Sequence, residues 1–557
     1  MWSGILVRPD NLRSVGSVPA GDAKFSVSAP SCSSVMDRPL VWWSSLALMF
    51  TALLVPLLTV AVPPLTDYPN HLARCYVLAF GNSDPVLHRM FSAHWQIIPN
   101  IGVDLLLPAL MHLFAPLIAG KIMLGLCLLL PASGVVALGY AYFRQRSFWQ
   151  IAAGFAAFNA LFLMGFMNFE ISIGIALWGA AGWITYREKY PITTVLLGML
   201  FGTLVFFFHL FGFCFFALLI GSYEMSLLLD MDLKTRSDQR RAAMRAVLFV
   251  EALIVPVILY AASPLEHVDS APGWPHFGQK VSALFVPFLD YSSVFDIVTV
   301  VPVVGFLIAC LIAKRVRLSS AALICCCFLL LAYAIVPRSF KGVYFVDTRL
   351  PVMMGFMLFA GFLPRGLPSR RWTAIGFLIA ALFLARIGFI TGVWVHSQRD
   401  ILDVREVIAS VTPGSRVLAA DVVSKDNPAW FASMPMGRRL PELTPTYWHL
   451  ASFVLLDRRA FWETIFSVDS QQPIRIEEPY RDLRAIESPP PNYISLATTQ
   501  IPAADLERFP FLADWSHKFD YVLILNAEGA PGLEHFVPEH LHLISRRGIA
   551  ALFKVIN

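Results

Sequence analysis

Long apolar runs recur through this 557-residue chain and limit its fold more than any other feature. A helix of about 20 apolar residues crosses a lipid bilayer. Only 15% of the residues are charged, whereas soluble proteins carry roughly 25%. Twelve apolar segments are candidate membrane helices: 41–62, 101–118, 120–142, 149–166, 168–185, 191–207, 209–229, 242–262, 291–313, 319–337, 348–364 and 372–393. The pattern predicts an all-α polytopic membrane bundle of about 11–12 transmembrane helices over residues 39–393.

The character of the chain changes after residue 393, where charges, prolines and short alternating stretches appear. The runs "SRVLAADV", "FDYVLIL" and "RRGIAALFKVI" are typical of strands, and "DILDVREVIASV" has helical spacing. We therefore expect a soluble α/β domain over 394–557. Residues 1–38 are polar and lack an apolar core, and "MDRPLVWW" begins at Met36. We expect 1–38 to be disordered or to precede the true start of the protein.

Basic residues gather in five short loops, near 144–146, 187–189, 234–245, 314–317 and 365–371. The positive-inside rule places these loops in the cytoplasm, so the net charge of +5 reports topology and not nucleic-acid binding. With Arg38 also inside, residues 63–100 form the first outer loop. Only one of the two apolar segments between 100 and 143 then crosses the membrane. We expect about eleven crossings in a bacterial inner membrane, with the C-terminal domain in the periplasm.

This topology brings polar residues from four separate segments to the outer face. They are Asp67, His71 and Arg74 in "PPLTDYPNHLARC", Asn168 and Glu170 in "MGFMNFEISIG", His209 in "FFFHLFG", and Lys341, Asp347 and Arg349 in "KGVYFVDTRLP". Ionisable groups near a bilayer are costly and are usually functional or paired. Their shared depth predicts a polar site at the outer membrane surface.

Each of these residues also has a purely structural interpretation. Asp67 or Thr66 is a suitable N-cap for a helix that contains Pro69. His71 has three alternatives: it orients Asp67, shares a metal ion with it, or faces water. For Arg74, the alternative is a side chain that reaches toward lipid headgroups. Further structural alternatives are a solvated Glu170 at the interface, a core His209, and a local pair between Asp347 and Arg349.

The layout resembles the GT-C superfamily of polyprenyl-phosphate-sugar-dependent glycosyltransferases, which includes the protein O-mannosyltransferases and the lipid A aminoarabinose transferases. Members carry an acidic motif near the start of the first outer loop, followed by interfacial helices. Here "LTDYPNHLAR" occupies the position of the acidic motif. The stretch "SDPVLHRMF" occupies the position of the second interfacial helix. Many members have two adjacent acidic residues, whereas Asp67 is followed by Tyr68. A divalent metal ion therefore remains one of the alternatives.

The resemblance implies inverting transfer of a sugar from a polyprenyl-phosphate donor to an envelope glycan or lipid acceptor. Such transfer needs a carboxylate base and cations at the leaving phosphate. Asp67 is the predicted base, with His71 positioning it or the acceptor. The substrate-binding candidates are Arg74, Lys341 and Arg349 for phosphate, His209 and Glu170 for sugar hydroxyls, Asp347 in the same connection, and Trp274 for stacking on a sugar. In the C-terminal domain, Tyr447, Trp448, Phe461 and Trp462 either stack on the acceptor glycan or belong to the core.

Two other functional classes are open. A polytopic chain with intramembrane Glu and His residues is also typical of a transporter or flippase, although we find no repeated halves here. A non-catalytic envelope assembly protein is the third class, and it would tolerate replacement of Asp67 and Arg349. The absence of a P-loop, an HExxH motif and a suitably placed GxSxG motif excludes the common ATPase, zinc protease and α/β-hydrolase classes.

Overall fold

The computed structural model describes residues 6–7, 38–264, 271–340, 343–422, 434–441, 445–485, 490–498, 501–530, 533 and 539–556. The prediction of disorder for residues 1–38 falls outside this range, apart from residue 38 and a short strand, β1 (Leu6–Val7). Lys341 also lies outside the described residues.

Seven helices of the described part are long and apolar enough to cross a membrane. They are α1 (Pro39–Thr59), α5 (Pro116–Phe143), α10 (Pro191–Phe208), α11 (Leu210–Leu228), α12 (Arg236–Ala262), α14 (Ser293–Ile312) and α17 (Ser369–Val407). The central helix α9 (Met167–Tyr186) has similar length but carries Asn168 and Glu170. The predicted all-α membrane bundle is confirmed.

Four shorter apolar segments complete the bundle. They are α4 (Gly102–Met111), the run of one-turn helices α6 (Phe148–Ile151), α7 (Gly154–Ala157) and α8 (Ala160–Leu163), then α15 (Ser320–Ile335) and α16 (Arg349–Ala360). Helix α4 has 10 residues and spans about 15 Å, half the thickness of a hydrocarbon core. The expectation of one crossing between 100 and 143 therefore agrees with α5 as the spanning helix.

The basic ends of several segments meet at one end of the bundle. The Trp42 indole donates to the Ser147 carbonyl oxygen at 3.2 Å, and Arg146 lies over Trp42 and Trp43. Strands β3 (Val316–Ser319) and β4 (Phe362–Pro364) pair antiparallel, with β1 parallel on the other side of β3. Because β3 precedes α15 and β4 follows α16, these two helices form an antiparallel pair that starts and ends there.

The opposite end carries the first outer loop. Helix α2 (Tyr68–Phe80) is followed by α3 (Pro85–His88), strand β2 (Phe91–Ala93) and then α4. Asp84 caps α3 by accepting from the Val86 and Leu87 nitrogens. The connection between α12 and α14 contains α13 (Phe277–Ala283).

The C-terminal region is the predicted α/β domain, although the predicted boundary at 394 falls inside the 39-residue helix α17. Its sheet has the order β6-β5-β8-β10-β9. Strands β5 (Arg416–Asp421), β6 (Phe461–Trp462) and β8 (Tyr521–Leu525) are parallel, whereas β10 (Ala550–Val555) runs antiparallel to β8 and β9 (Leu541–Arg547). Strand β7 (Ile474–Ile476) pairs with β2 and joins the domain to the outer loop.

The described short helices of this domain are Phe453–Arg458, Ile494–Ala497, Ala503–Arg508 and Trp515–Lys518. Tyr447, Phe461 and Trp462 are buried, each at most 1% exposed. The core alternative therefore holds for these three aromatic residues, and the alternative of stacking on a glycan does not. The side chains of these three residues pack against other residues inside the protein.

Candidate functional site

Helix α2 begins against a tight backbone corner formed by Gly165 and Phe166. The Asp67 nitrogen donates to the Met164 carbonyl oxygen at 2.9 Å. Gly165 has φ +88°, and a Cβ atom there would lie 2.8 Å from the Tyr68 nitrogen and 3.0 Å from the Asp67 nitrogen. Only glycine combines this left-handed conformation with so close an approach. The corner thus holds the start of α2 against the start of α9.

The Asp67 side chain is not used to cap α2, since it makes no capping hydrogen bond. Its Oδ1 atom lies 3.5 Å from Nδ1 of His449 in the C-terminal domain. The Asp67 side chain is 19% exposed, and that of His449 is 7% exposed. The first predicted site residue therefore sits at the contact between the outer loop and the C-terminal domain.

His71 and Arg74 lie on the buried face of α2 and contact one another. The Arg74 guanidinium donates to both carboxylate oxygens of Asp104, at 2.7 and 3.0 Å, and to Nδ1 of His71 at 3.0 Å. Because arginine only donates, Nδ1 of His71 is the acceptor, and the ring proton is on Nε2. Burial, together with the charge of Arg74, lowers the pKa of His71 well below its usual range.

These internal partners alter the interpretation of Arg74. Its side chain is 1% exposed and that of Asp104 is 0% exposed. A guanidinium that binds one carboxylate through two hydrogen bonds inside the protein is matched in charge and geometry by that partner. The geometry favours a positioning role for Arg74 over the predicted phosphate contact or a headgroup-facing position.

A segment of the C-terminal domain, residues 462–467, closes over this face of α2. The Asn70 amide donates to the Thr464 carbonyl oxygen at 3.0 Å and accepts from the Phe466 nitrogen at 3.0 Å. The Phe466 ring stands between two imidazoles, 5.3 Å from His71 and 5.0 Å from His449 between ring centroids. The C-terminal domain therefore contributes backbone and aromatic contacts to the site.

Arg349 lies on the other side of the Gly165–Phe166 corner. Its guanidinium is 5.3 Å from the ring centroids of both Phe166 and Phe211, and it donates to the Tyr344 carbonyl oxygen at 2.9 Å. His209 is close by and caps α11, since its Nδ1 accepts from the Phe211 nitrogen at 3.0 Å. This contact gives His209 a structural role, and its ring also packs on Phe169.

An open cavity of about 240 Å³ adjoins the Arg349 side of the corner. Its lining residues are Gly273, Trp274, Arg338, Ser339, Tyr344 and Phe345. Trp274 is 64% exposed, and Arg338 lies over the Phe345 ring at 5.3 Å. The predicted sugar-stacking residue is therefore at an aromatic cavity with cationic groups beside it, where a phosphate and a ring have suitable partners.

Two other predicted residues point elsewhere. Glu170 lies in the first turn of α9, at the helix end that the sequence indicated, but its side chain is 0% exposed, so the alternative of a solvated Glu170 does not hold. Its nearest described hydrogen-bonding partner is the Asn159 side chain. Asp347 is 1% exposed, and its carboxylate lies 3.9 Å from the Lys280 nitrogen. Asp347 therefore has two cationic neighbours, Lys280 and the Arg349 that the sequence suggested, since the Asp347 charge also acts on Arg349.

Several site residues were missed from the sequence, namely Asn70, Asp104, His449, Phe466 and Arg338. Asp104 had a usable signal, because it is the one acidic residue in "NIGVDLLLPAL". His449 and Phe466 have no local signal, since only the tertiary contact with α2 gives them a role. Among the described residues, no group of three or more His, Cys, Asp and Glu side chains is arranged to hold a metal ion.

No protein-family model and no curated protein matches the chain. Among solved structures, it is similar to ArnT from Cupriavidus metallidurans in the apo state, with 10% identity, a TM-score of 0.49, and coverage of 92% of this chain and 98% of that one. The same enzyme bound to undecaprenyl phosphate gives 10% identity, a TM-score of 0.47, and coverage of 92% and 97%. The Archaeoglobus fulgidus oligosaccharyltransferase complex with Zn and sulfate gives 12% identity, a TM-score of 0.38, and coverage of 92% and 73%. The chemistry of this chain is therefore inferred from its own residues.

Proposed function

We propose that this chain is an inverting membrane glycosyltransferase. It transfers a sugar from a polyprenyl-phosphate donor to a hydroxyl group of an envelope glycan or lipid, at the outer face of the bacterial inner membrane. The observation that carries the proposal is the Gly165–Phe166 corner. Asp67 contacts Gly165 of this corner, and the Arg349 guanidinium contacts Phe166, with the aromatic cavity next to Arg349 through Tyr344.

The Asp67 side supplies the base. The acceptor oxygen forms a bond to the anomeric carbon, its proton moves to the Asp67 carboxylate, and the bond from the anomeric carbon to the phosphate oxygen breaks. Polyprenyl phosphate leaves with the electron pair. Asp67 is suited to this role because its carboxylate is partly exposed and is not used as a helix cap.

The Arg349 side holds the donor. Arg349 and Arg338 offer positive charge for the phosphate, and Trp274 offers an exposed ring for the sugar or the first part of the lipid. Lys341 remains a candidate for the same phosphate. Arg74 and His71 support the base from within α2, because their hydrogen bonds run to each other and to Asp104. A divalent ion remains an untested alternative for charge neutralisation.

The test is transfer by the purified chain in proteoliposomes, using synthetic polyprenyl-phosphate hexoses and pentoses and measuring release of polyprenyl phosphate. Asp67→Asn keeps the shape of the side chain and removes the base, so we expect turnover to fall by roughly 10²- to 10⁴-fold. Asp514→Asn is the matched control, since that aspartate is a surface residue with 55% side-chain exposure.

Full turnover by Asp67→Asn would contradict the proposal. A chain that only moves the lipid across the membrane leaves the sugar–phosphate bond intact in every variant. A chain that only assembles other proteins shows neither cleavage nor movement. Both outcomes would replace the transferase assignment with the corresponding alternative class.

A further inference from the structure

The hydrogen bonds of Asn70 fix the direction of its amide. Its nitrogen faces the Thr464 carbonyl oxygen and its oxygen faces the Phe466 nitrogen. Reversing the amide would set acceptor against acceptor and donor against donor, so this orientation is determined by the backbone of the C-terminal domain. The second hydrogen of the amide nitrogen is then free to point toward Nδ1 of His449, which lies 3.5 Å away.

The orientation of Asn70 favours one tautomer of His449. The Asn70 nitrogen only donates, so its contact with Nδ1 of His449 is a hydrogen bond when the ring proton is on Nε2. Burial lowers the pKa of His449 to about 3, which keeps the ring neutral near pH 7. Its rotation is restricted by Trp462 and Phe466, whose ring centroids are 5.9 and 5.0 Å away. The Nδ1 lone pair is therefore held at a defined place.

The same ring nitrogen faces the Asp67 carboxylate. Nδ1 of His449 is 3.5 Å from Oδ1 of Asp67. A carboxylate has no hydrogen to donate to Nδ1, but a carboxylic acid has one. The other ionisable groups on this side, His71, Arg74 and Asp104, are bonded to one another through Arg74.

We infer that His449 is a positioning residue for Asp67, so that the C-terminal domain completes the catalytic site at the membrane surface. The inference rests on the proposed function, in which Asp67 is the base. During transfer the acceptor proton moves to Asp67, and the resulting hydroxyl group donates a hydrogen bond to Nδ1 of His449, in place of the 3.5 Å contact from the Asn70 nitrogen. The Asn70 amide favours the tautomer of His449 that accepts at Nδ1. The peptide groups of residues 464 and 466 hold the Asn70 amide in its orientation.

The experiment compares three replacements of His449 in the full-length chain, using the same donor panel. Asn carries its acceptor oxygen on Cγ, the atom that carries Nδ1 in histidine. Gln carries its acceptor oxygen one bond further from the backbone, and Ala has no acceptor. We expect kcat to fall on the order of 10- to 100-fold for His449→Ala and His449→Gln, with KM for the donor nearly unchanged. We expect His449→Asn to recover most of the lost kcat. Thermal melting in detergent verifies that each variant is folded.

The outcomes separate this inference from the proposed function. Equal loss of kcat in the Asn and Gln variants would show that His449 acts only through packing and would overturn the inference. Unchanged kcat in His449→Ala, with Asp67→Asn inactive, would also overturn it while leaving the transferase proposal intact. Full activity of Asp67→Asn would instead remove the proposed function.

Discussion

Arg74 shows how a residue of the outer loop becomes part of the interior. Its two hydrogen bonds to Asp104 join α2 to α4, and its bond to His71 sets the tautomer of that ring. Removing one partner of a buried ion pair leaves the other charge without compensation, and this costs more than the intact pair contributes. The pair therefore matters for stability and for the placement of α2, which also carries Asp67.

We expect Arg74→Ala to destabilise the chain by roughly 3–5 kcal/mol, because it leaves the Asp104 carboxylate buried alone. Arg481→Ala is the control, since Arg481 and Glu478 form an exposed pair with 52% and 60% side-chain exposure. That change should cost less than about 1 kcal/mol. Thermal melting in detergent measures both, and equal melting temperatures would refute the prediction. The double change Arg74→Met with Asp104→Leu should be milder than Arg74→Ala.

Single residues were predictable from the sequence where local chemistry decides their role. Asp67 was identified because an acidic residue beside an apolar run is unusual, and the structure brings His71 and Arg74 together on the same helix. His449 was not identifiable, because its partner Asp67 is almost four hundred residues away and no pattern near His449 indicates the contact. Glu170 lies near a helix start, as the sequence indicated, but the packing of α9 buries its side chain, which the sequence did not show.

At the scale of elements, the corner between α8 and α9 determines where α2 begins. Gly165 leaves no room for a Cβ atom against the Asp67 and Tyr68 nitrogens, and its positive φ adds strain for any other residue. We expect Gly165→Ala to displace the start of α2 and to lower transfer by at least tenfold. The same assay with Gly182→Ala in α9 is the control, because a Cβ atom there meets nothing within 4 Å. Equal activity of the two variants would show that the corner does not position Asp67.

The apolar runs predicted where the membrane segments lie. They did not predict whether each segment is one continuous helix. The run 149–166 folds as three single turns and not as one helix, and Asn159 starts the last of these by accepting from the Phe162 nitrogen at 3.0 Å. The run 101–118 yields only α4 before the chain turns toward α5. Hydropathy reports burial in apolar surroundings, whereas a break depends on side-chain capping and on backbone turns such as that at Gly165.

For the whole molecule, the contact between α2 and the C-terminal domain limits the topology. Asn70 and Phe466 touch, so the outer loop and the domain lie on the same side of the membrane. The chain must cross an even number of times between them. With α4 as an interfacial helix, we expect ten crossings: α5, the broken segment 148–163, α9, α10, α11, α12, α14, α15, α16 and α17. If α4 also crossed the membrane, the number of crossings between the outer loop and the C-terminal domain would be odd. These two regions, which are in contact, would then lie on opposite sides of the membrane.

The side on which both surfaces lie follows from the basic loops, which the positive-inside rule assigns to the cytoplasm. We therefore expect cysteines introduced at Ser83 in the outer loop and at Ala513 in the C-terminal domain to react with a membrane-impermeant maleimide on intact spheroplasts. A cysteine at the exposed Ser237, in the first turn of α12, should react only after permeabilisation. The parent chain without added cysteines gives the background. Labelling of Ser237→Cys in intact spheroplasts, with Ser83→Cys and Ala513→Cys protected, would invert the orientation and place the candidate site in the cytoplasm. Opposite behaviour of Ser83→Cys and Ala513→Cys would contradict the contact through which His449 reaches Asp67.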